Sequence, residues 1–285
     1  MSDTHGSPDE DRRLESVRQD AEHSRQDAGA PHDRENPYET RRLLGEYLLF
    51  HYGGPEEVLP WSGGPRESLG FPQRTVGHFG PGQAARGLDL GCAVGGSTFA
   101  MSRTCGAVIG IDFSRAFIAV AERLRCGAEI PFERPEEGHA STTLVARLPA
   151  GVRPERVSFE TGDAMDLRPD LGFFDRVHAA NLLCRLPEPV KLLDRLPALV
   201  APGGELVLAT PCTWLEEFTP PANWPPGGTL DWLRDKLGAD FDLVRLADEP
   251  FLIRETARKF QWSVAQVSVW RRCPARRTAR AGIEP

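Results

Sequence analysis

Two carboxylates and a run of small residues stand at spacings that suit a nucleoside-bearing ligand. In Leu88-Asp89-Leu90-Gly91-Cys92-Ala93-Val94-Gly95-Gly96, small side chains fall where a strand turns sharply into a helix. A turn poor in Cβ atoms lets a ligand lie against the backbone at the carboxyl end of the strand. Roughly 20 residues further on, Ile109-Gly110-Ile111-Asp112-Phe113-Ser114 ends a second apolar run on a carboxylate suited to gripping two ribose hydroxyls. After a third run, Thr161-Gly162-Asp163-Ala164 offers an acid that can accept a hydrogen bond from an adenine amino group. Asp89, Gly91, Cys92, Ala93, Gly95, Asp112, Phe113, Asp163 and Ala164 are therefore candidate cofactor residues. Taken alone, each acid is equally at home as a helix cap or in a solvated loop. NAD and S-adenosylmethionine both satisfy a glycine turn followed by a ribose acid.

The elements that must position these groups follow from periodicity. From Arg86 onward strand-like runs alternate with helical ones, which implies parallel strands joined by crossover helices. The expected strands are 87–90, 107–111, 156–160, 174–179 and 204–210, with helices starting near Gly96 and Arg115 and another over 189–200. Two late runs, 241–247 and 261–271, read as an antiparallel hairpin at one sheet edge. The fold class is thus α/β, a doubly wound, mostly parallel seven-stranded sheet. Leu43, Leu44, Tyr47, Leu48 and His51 recur at helical spacing until Gly53-Gly54-Pro55 stops them, giving a helical extension over about 36–80 outside the sheet. Residues 128–150 make a longer connection, for which a lid and a plain surface excursion are equal readings.

Residues 1–35 carry almost no large apolar groups and are expected to be disordered, leaving one domain over 36–271 and a short basic tail over 272–285. Among 285 residues, 41 acidic against 34 basic side chains give a net charge of −7, which disfavours a nucleic-acid partner and fits a small substrate. The six cysteines form no CxxC pair and no zinc spacing, so no metal is expected and reduced thiols in the cytoplasm are the simplest reading. No apolar run approaches the roughly 20 residues that span a bilayer.

The glycine turn, ribose acid, adenine acid, Ala201-Pro202-Gly203-Gly204 turn and terminal hairpin, in that order, resemble class I methyltransferases over most of 86–271. This implies a Rossmann-like sheet binding S-adenosylmethionine and releasing S-adenosylhomocysteine. A narrower resemblance is carried by Asn36-Pro37-Tyr38-Glu39-Thr40, Glu46-Tyr47-Leu48-Leu49-Phe50-His51-Tyr52-Gly53, Phe71-Pro72-Gln73-Arg74, Asp89 to Gly95, Ala180-Asn181-Leu182-Leu183-Cys184-Arg185-Leu186-Pro187 and Pro250 to Glu255. Together these are similar to the C-terminal methyltransferase domain of the ovothiol-forming 5-histidylcysteine sulfoxide synthases. That family's module is associated with N-methylation of the imidazole of 5-thiohistidine to give ovothiol A. Here the acceptor, 5-thiohistidine or a related imidazole thiol, would be supplied by other proteins, a separate sulfoxide synthase being the candidate partner. Cys212 and Gly96 depart from the pattern. The resemblance adds Arg74 and Asn181 to the cofactor residues.

A thiohistidine presents two nucleophiles, and its sulfur is intrinsically the better one, so N-methylation needs orientation more than a strong base. Asn181, whose amide both donates and accepts, is the leading acceptor contact, with a turn cap the equal alternative. Arg254 and Lys259 suit an amino-acid carboxylate, with surface solvation as the plain reading. Tyr38 and Tyr47 would supply an aromatic wall or a hydroxyl, unless they merely pack. His51 and His178 read as structural. Two alternatives stay open: a methyltransferase for another small amine or thiol, and a non-catalytic cofactor-binding partner of a synthase.

Overall fold

The computed structural model describes residues 37–274; the tail expected over 1–35 and all but the first three residues of that expected over 272–285 lie outside the described residues, and Arg272 still belongs to the last strand. Thr40 opens the first helix, α1 (Arg41–Tyr52), by accepting the Leu43 N–H through its hydroxyl, and Gly53 closes it. Short helices α2 (Pro55–Val58) and α3 (Phe71–Val76) follow. The sheet then begins with β1 (Ala84–Leu90), α4 (Gly96–Met101), β2 (Cys105–Asp112) and α5 (Arg115–Arg125). After a separate antiparallel hairpin, β3 (Ile130–Pro135) and β4 (Ser141–Ala146), come β5 (Val157–Thr161), β6 (Phe174–Ala180), α6 (Pro189–Arg195) and β7 (Val200–Thr210). The chain ends with α7 (Thr229–Leu237), β8 (Phe241–Arg254) and β9 (Phe260–Arg272).

The sheet is seven-stranded in the order β5-β2-β1-β6-β7-β9-β8, parallel from β5 to β7 and antiparallel at the β9-β8 edge, as the alternation of runs implies. Its central strands β1, β6 and β7 are buried on both faces, so neighbouring residues serve different cores. Leu206 and Leu208 pack with α6 and α7 on one face, whereas Val207 and Ala209 pack with α1, α4 and α5 on the other. Chain direction reverses its order of addition between β1 and β6, and a sheet of this kind binds ligands at the carboxyl ends of the strands there. No helix among the described residues is long and apolar enough to cross a membrane.

Three elements differ from expectation. The helix expected over 189–200 stops at Arg195 and tightens to a 3-10 turn at Leu196–Ala198 around Pro197, which has no N–H to continue the ladder. β8 runs seven residues past Ala247, straight through Pro250, because it is the sheet's edge strand and an outward-facing edge position needs no donor. Thr210 pairs with Gln266, and Gln266 with Asp248, so 249–254 and 260–265 rise beyond the sheet as a two-stranded arm about 20 Å long at ~3.3 Å per residue. Phe251 on that arm packs against Phe71, ring centroids 4.9 Å apart, and against Phe50 of α1. The 128–150 connection is the β3-β4 hairpin, which buttresses α1: a Cβ on Gly45 would lie 2.8 Å from the Glu133 carbonyl oxygen.

Candidate functional site

Strand register brings the candidate groups into one row. Leu90 pairs with Ile111 and Ala179, Asp112 with Thr161, and Ala180 with Ala209, so the residues that leave the strands do so at one level. Along the carboxyl edge stand Asp163, Asp112, the Gly91–Gly95 turn, Asn181 and Cys212. Among the described residues three non-glycine residues adopt positive φ, and all three are in this row: Ala93 (48°), Asn181 (54°) and Cys212 (54°). Strain of this sort persists where surrounding structure holds it, and it concentrates at ligand sites. Gly91 (φ 66°) and Gly95 (φ 89°) complete the turn; a Cβ on Gly95 would sit 2.6 Å from the Phe159 ring.

Asp112 holds the turn as well as facing it. Its Oδ2 accepts the Ala93 N–H at 2.8 Å and its Oδ1 the Ser114 N–H at 2.9 Å, leaving lone pairs on both oxygens for a ligand. Burial raises its pKa to about 6 despite those two bonds, with the charge of Asp89 adding to the rise. Beside it the Phe113 ring is 64% exposed, an apolar face offered at the rim. Asp163 accepts the Met165 N–H through Oδ1 at 2.8 Å, a local turn of the kind the plain reading foresaw, and its other oxygen has no protein donor among the described residues.

The N-terminal segment grips this edge. His51 accepts the Gly96 N–H through Nδ1 at 3.0 Å, and the Tyr52 hydroxyl donates to the Val94 carbonyl oxygen. Burial holds the His51 pKa down at about 4, so the ring is a neutral acceptor. The departure at Gly96 now has its cause: a Cβ there would lie 2.5 Å from His51 Nδ1. Glu39 caps α5 by accepting the Arg115 and Ala116 N–H groups, and Ser114 donates to the Tyr38 carbonyl. The Tyr38 and Tyr47 phenols are hydrogen-bonded to each other and pack around Phe117. Burial pushes both phenols up, so they are protonated donors rather than bases. A separate cavity of about 330 Å³ behind α1, lined by Phe50, His51, Tyr52 and Gln73 among others, contains none of the row's acids.

Asn181 donates its N–H to the Ala209 carbonyl, which sets its left-handed backbone, and its buried Oδ1 has no hydrogen-bond partner among the described residues. Such an acceptor is costly to leave unmet, and His78 Nδ1 is the other buried side-chain atom in this condition among the described residues. Four other expected residues are used elsewhere. Arg254, at the arm's tip, is buried and binds the Thr256, Glu57 and Val58 carbonyls and Glu136 at 2.9 Å. Lys259 is paired with Glu255 at 2.6 Å on the exposed side of the same tip. Arg74 is consumed by Glu249 at 2.7 Å and the Leu69 and Pro250 carbonyls. Asp89 is buried, taking the Thr98 hydroxyl at 2.6 Å and His178 Nδ1 at 2.8 Å, with His178 Nε2 against Thr75; it braces the turn from beneath. Cys92 and Ala164 are buried packing residues flanking the row. Sequence reasoning missed Arg185, whose guanidinium lies over the Phe218 ring beside Asn181's turn; a charged residue inside the turn after β6 was the available signal.

Residues 66–250 match the family model described as "Methyltransferase domain". The chain belongs to this methyltransferase family. The tRNA U34 carboxymethyltransferase of Hahella chejuensis is 27% identical to the methyltransferase over 75% of this chain and 65% of its own length. The demethylmenaquinone methyltransferase of Clavibacter sepedonicus is 29% identical over 67% of this chain and 61% of its own length. The methyltransferase thus spans less than two thirds of the length of these curated relatives. The crystal structure of the [4+2]-cyclase SpnF superposes with a TM-score of 0.50 at 17% identity, covering 81% of this chain and 93% of that one, and shares the fold. S-adenosylmethionine is the cofactor that the sequence leads one to expect in such a domain. The row fits that cofactor: Asp112 keeps two free lone pairs where ribose hydroxyls need acceptors, and Phe113 offers an apolar face, while the Leu182 side chain covers Gly91 and Phe159 packs on Gly95.

Proposed function

We propose that this methyltransferase N-methylates the imidazole ring of 5-thiohistidine, giving the ovothiol A skeleton. The observation that carries the reading is the unpartnered, buried Oδ1 of Asn181 at the β1/β6 switch point. An imidazole N–H donated to that oxygen fixes the ring's tautomer, so the lone pair lies on the other nitrogen. The narrower family resemblance supports the same acceptor.

When bound, S-adenosylmethionine supplies a sulfonium-activated methyl group, and transfer is an in-line displacement. What this chain contributes is alignment. Asp112, with Asp163 along the edge, orients the nucleoside beside the glycine turn, and Asn181 turns the ring so that nitrogen rather than sulfur faces the methyl. Tyr38 and Tyr47, kept protonated, wall the acceptor side and leave no phenolate to compete as a nucleophile.

The test is incubation of the protein with S-adenosylmethionine and 5-thiohistidine, with mass spectrometry and NMR of the product. A ring N-methyl supports the proposal, an S-methyl product corrects its regiochemistry, and no product defeats it. A second reading, a methyltransferase for another small amine or thiol, is favoured by the differing acceptors in the names of the relatives. A polyanionic acceptor of the tRNA kind is disfavoured by the net charge of −7.

A further inference from the structure

We propose that Arg185 is the anion-binding residue of the acceptor site and takes a carboxylate carried by the acceptor. The inference rests on the small-molecule reading above and names the group that recognises one end of that molecule.

Arg185 ends the 3-10 turn Leu183–Arg185 that follows β6 directly, in the same turn that holds Asn181 at the switch point. The most buried guanidinium groups are saturated: Arg134 binds Glu136 and the Glu57 carbonyl, Arg176 binds Thr104 and the Gly80 and Gly82 carbonyls, and Arg254 makes four contacts, while the half-buried Arg156 and Arg195 each reach two carbonyls at 3.4–3.5 Å. Arg185 makes one hydrogen bond, a long one of 3.5 Å from Nη1 to the Cys184 carbonyl, and no ion pair among the described residues. It is nevertheless held in place, its guanidinium carbon 4.5 Å from the centroid of the Phe218 ring.

Phe218 is itself fixed. The 211–228 loop is tied to the chain just beyond Arg185 by Thr219 Oγ1 donating to the Leu186 carbonyl at 2.8 Å and Asn223 Nδ2 to the Pro187 carbonyl at 2.9 Å. The guanidinium therefore lies against this loop and within electrostatic reach of Tyr38, where its positive charge opposes the rise of the phenol pKa. A planar fork stacked on one ring face keeps its N–H edges free, the geometry that receives a carboxylate through two parallel bonds. Asn181 Oδ1, an open acceptor, and Arg185, an open donor fork, complement a molecule that carries both an N–H and a carboxylate, such as an amino acid with an imidazole side chain.

Calorimetry on protein loaded with S-adenosylhomocysteine tests this, using 5-thiohistidine and its decarboxylated amine as probes against wild type, Arg185→Gln and Arg185→Lys. Arg185→Gln should weaken 5-thiohistidine by about tenfold to a hundredfold, the range expected for losing a charge-assisted bidentate pair. The amine should bind wild type and variant alike, Arg185→Lys should fall between, and S-adenosylhomocysteine affinity should not change. Equal weakening of acid and amine, or a loss of S-adenosylhomocysteine binding, overturns the proposal, with thermal melting confirming that the variants are folded. If wild type binds neither probe, the thiohistidine reading fails by itself. The Arg185 Nε–H resonance titrated with acetate and with glycine then decides: a saturable shift sustains the anion site, and its absence refutes it.

Discussion

Removing the Asp112 carboxylate separates two effects that have opposite signs. In Asp112→Ala the ligand loses two charge-assisted acceptors worth about 1.5–3 kcal/mol each, and water entering the half-buried site restores part of that. The net loss is about 2–4 kcal/mol, or roughly 30- to 1,000-fold in the dissociation constant of S-adenosylhomocysteine. The pH dependence sharpens the case. The folded pKa is about 6 against an ordinary 3.8. Hydroxyl donors favour the ionised form, so wild-type affinity should fall as pH drops below about 6, and the variant should lack that fall. Stability of the cofactor-free protein runs the other way. A carboxyl whose folded pKa is raised binds its proton more tightly in the fold, so its contribution is fullest below the unfolded value and is lost as pH rises from about 4 to about 6. The shift corresponds to about 3 kcal/mol, reduced to about 1–2 kcal/mol by solvent screening at this rim. Isothermal titration at pH 5, 6 and 7.5 and urea unfolding over the same range, with circular dichroism to confirm the fold, measure both. Equal affinity for the variant, or the same pH slope in both proteins, would refute the claim that Asp112 and the glycine turn form one site.

Gly96→Ala should destabilise the fold by about 1–3 kcal/mol because its methyl would lie 2.5 Å from His51 Nδ1, and adding His51→Ala should recover part of the loss, as a double-mutant cycle in urea would show. The His51 pKa of about 4 against 6.5 predicts an acid limb: the ring is neutral in the fold, so its contribution is complete above about 6.5 and is lost as pH falls toward 4, by about 3 kcal/mol. His51→Asn, which keeps an acceptor near Nδ1, should fold and lack that limb in pH-dependent urea unfolding. Arg254→Met should cost about 1–3 kcal/mol by leaving the Thr256 and Val58 carbonyls unmet and Glu136 and the Glu57 carbonyl to Arg134 alone, yet leave S-adenosylhomocysteine affinity unchanged below the melting transition, which calorimetry at low temperature would check.

What could be read before folding was whatever chemistry lies within a few residues of a strand end. Gly91, Asp112, Asp163 and Asn181 each follow an apolar run, and a parallel sheet carries all such ends to one edge, so order along the chain becomes position in the row. Strand ends and the glycine turn were legible for the same reason, since small residues and the close of an apolar run act locally, whereas β1 and β7 start three and four residues before the runs that were expected. The helix α7 was also visible in principle, with Trp232, Leu233 and Leu237 buried at helical spacing, but the prolines and glycines before it obscured its start. Arginine was the residue type that misled. Arg74, Arg185 and Arg254 each sit in a motif with apolar neighbours, and nothing local tells a ligand-binding guanidinium from one that ties two segments together. The difference is made at long range: Arg74 meets Glu249, 175 residues away, and Arg254 meets Glu136, 118 residues away, whereas no carboxylate arrives at Arg185 among the described residues. The same distance hid the partnership of His51 with Gly96, in which one side chain explains the absence of another. A charge becomes available to a ligand when the fold leaves it unpaired, and pairing is settled by contacts between segments that the local pattern does not connect.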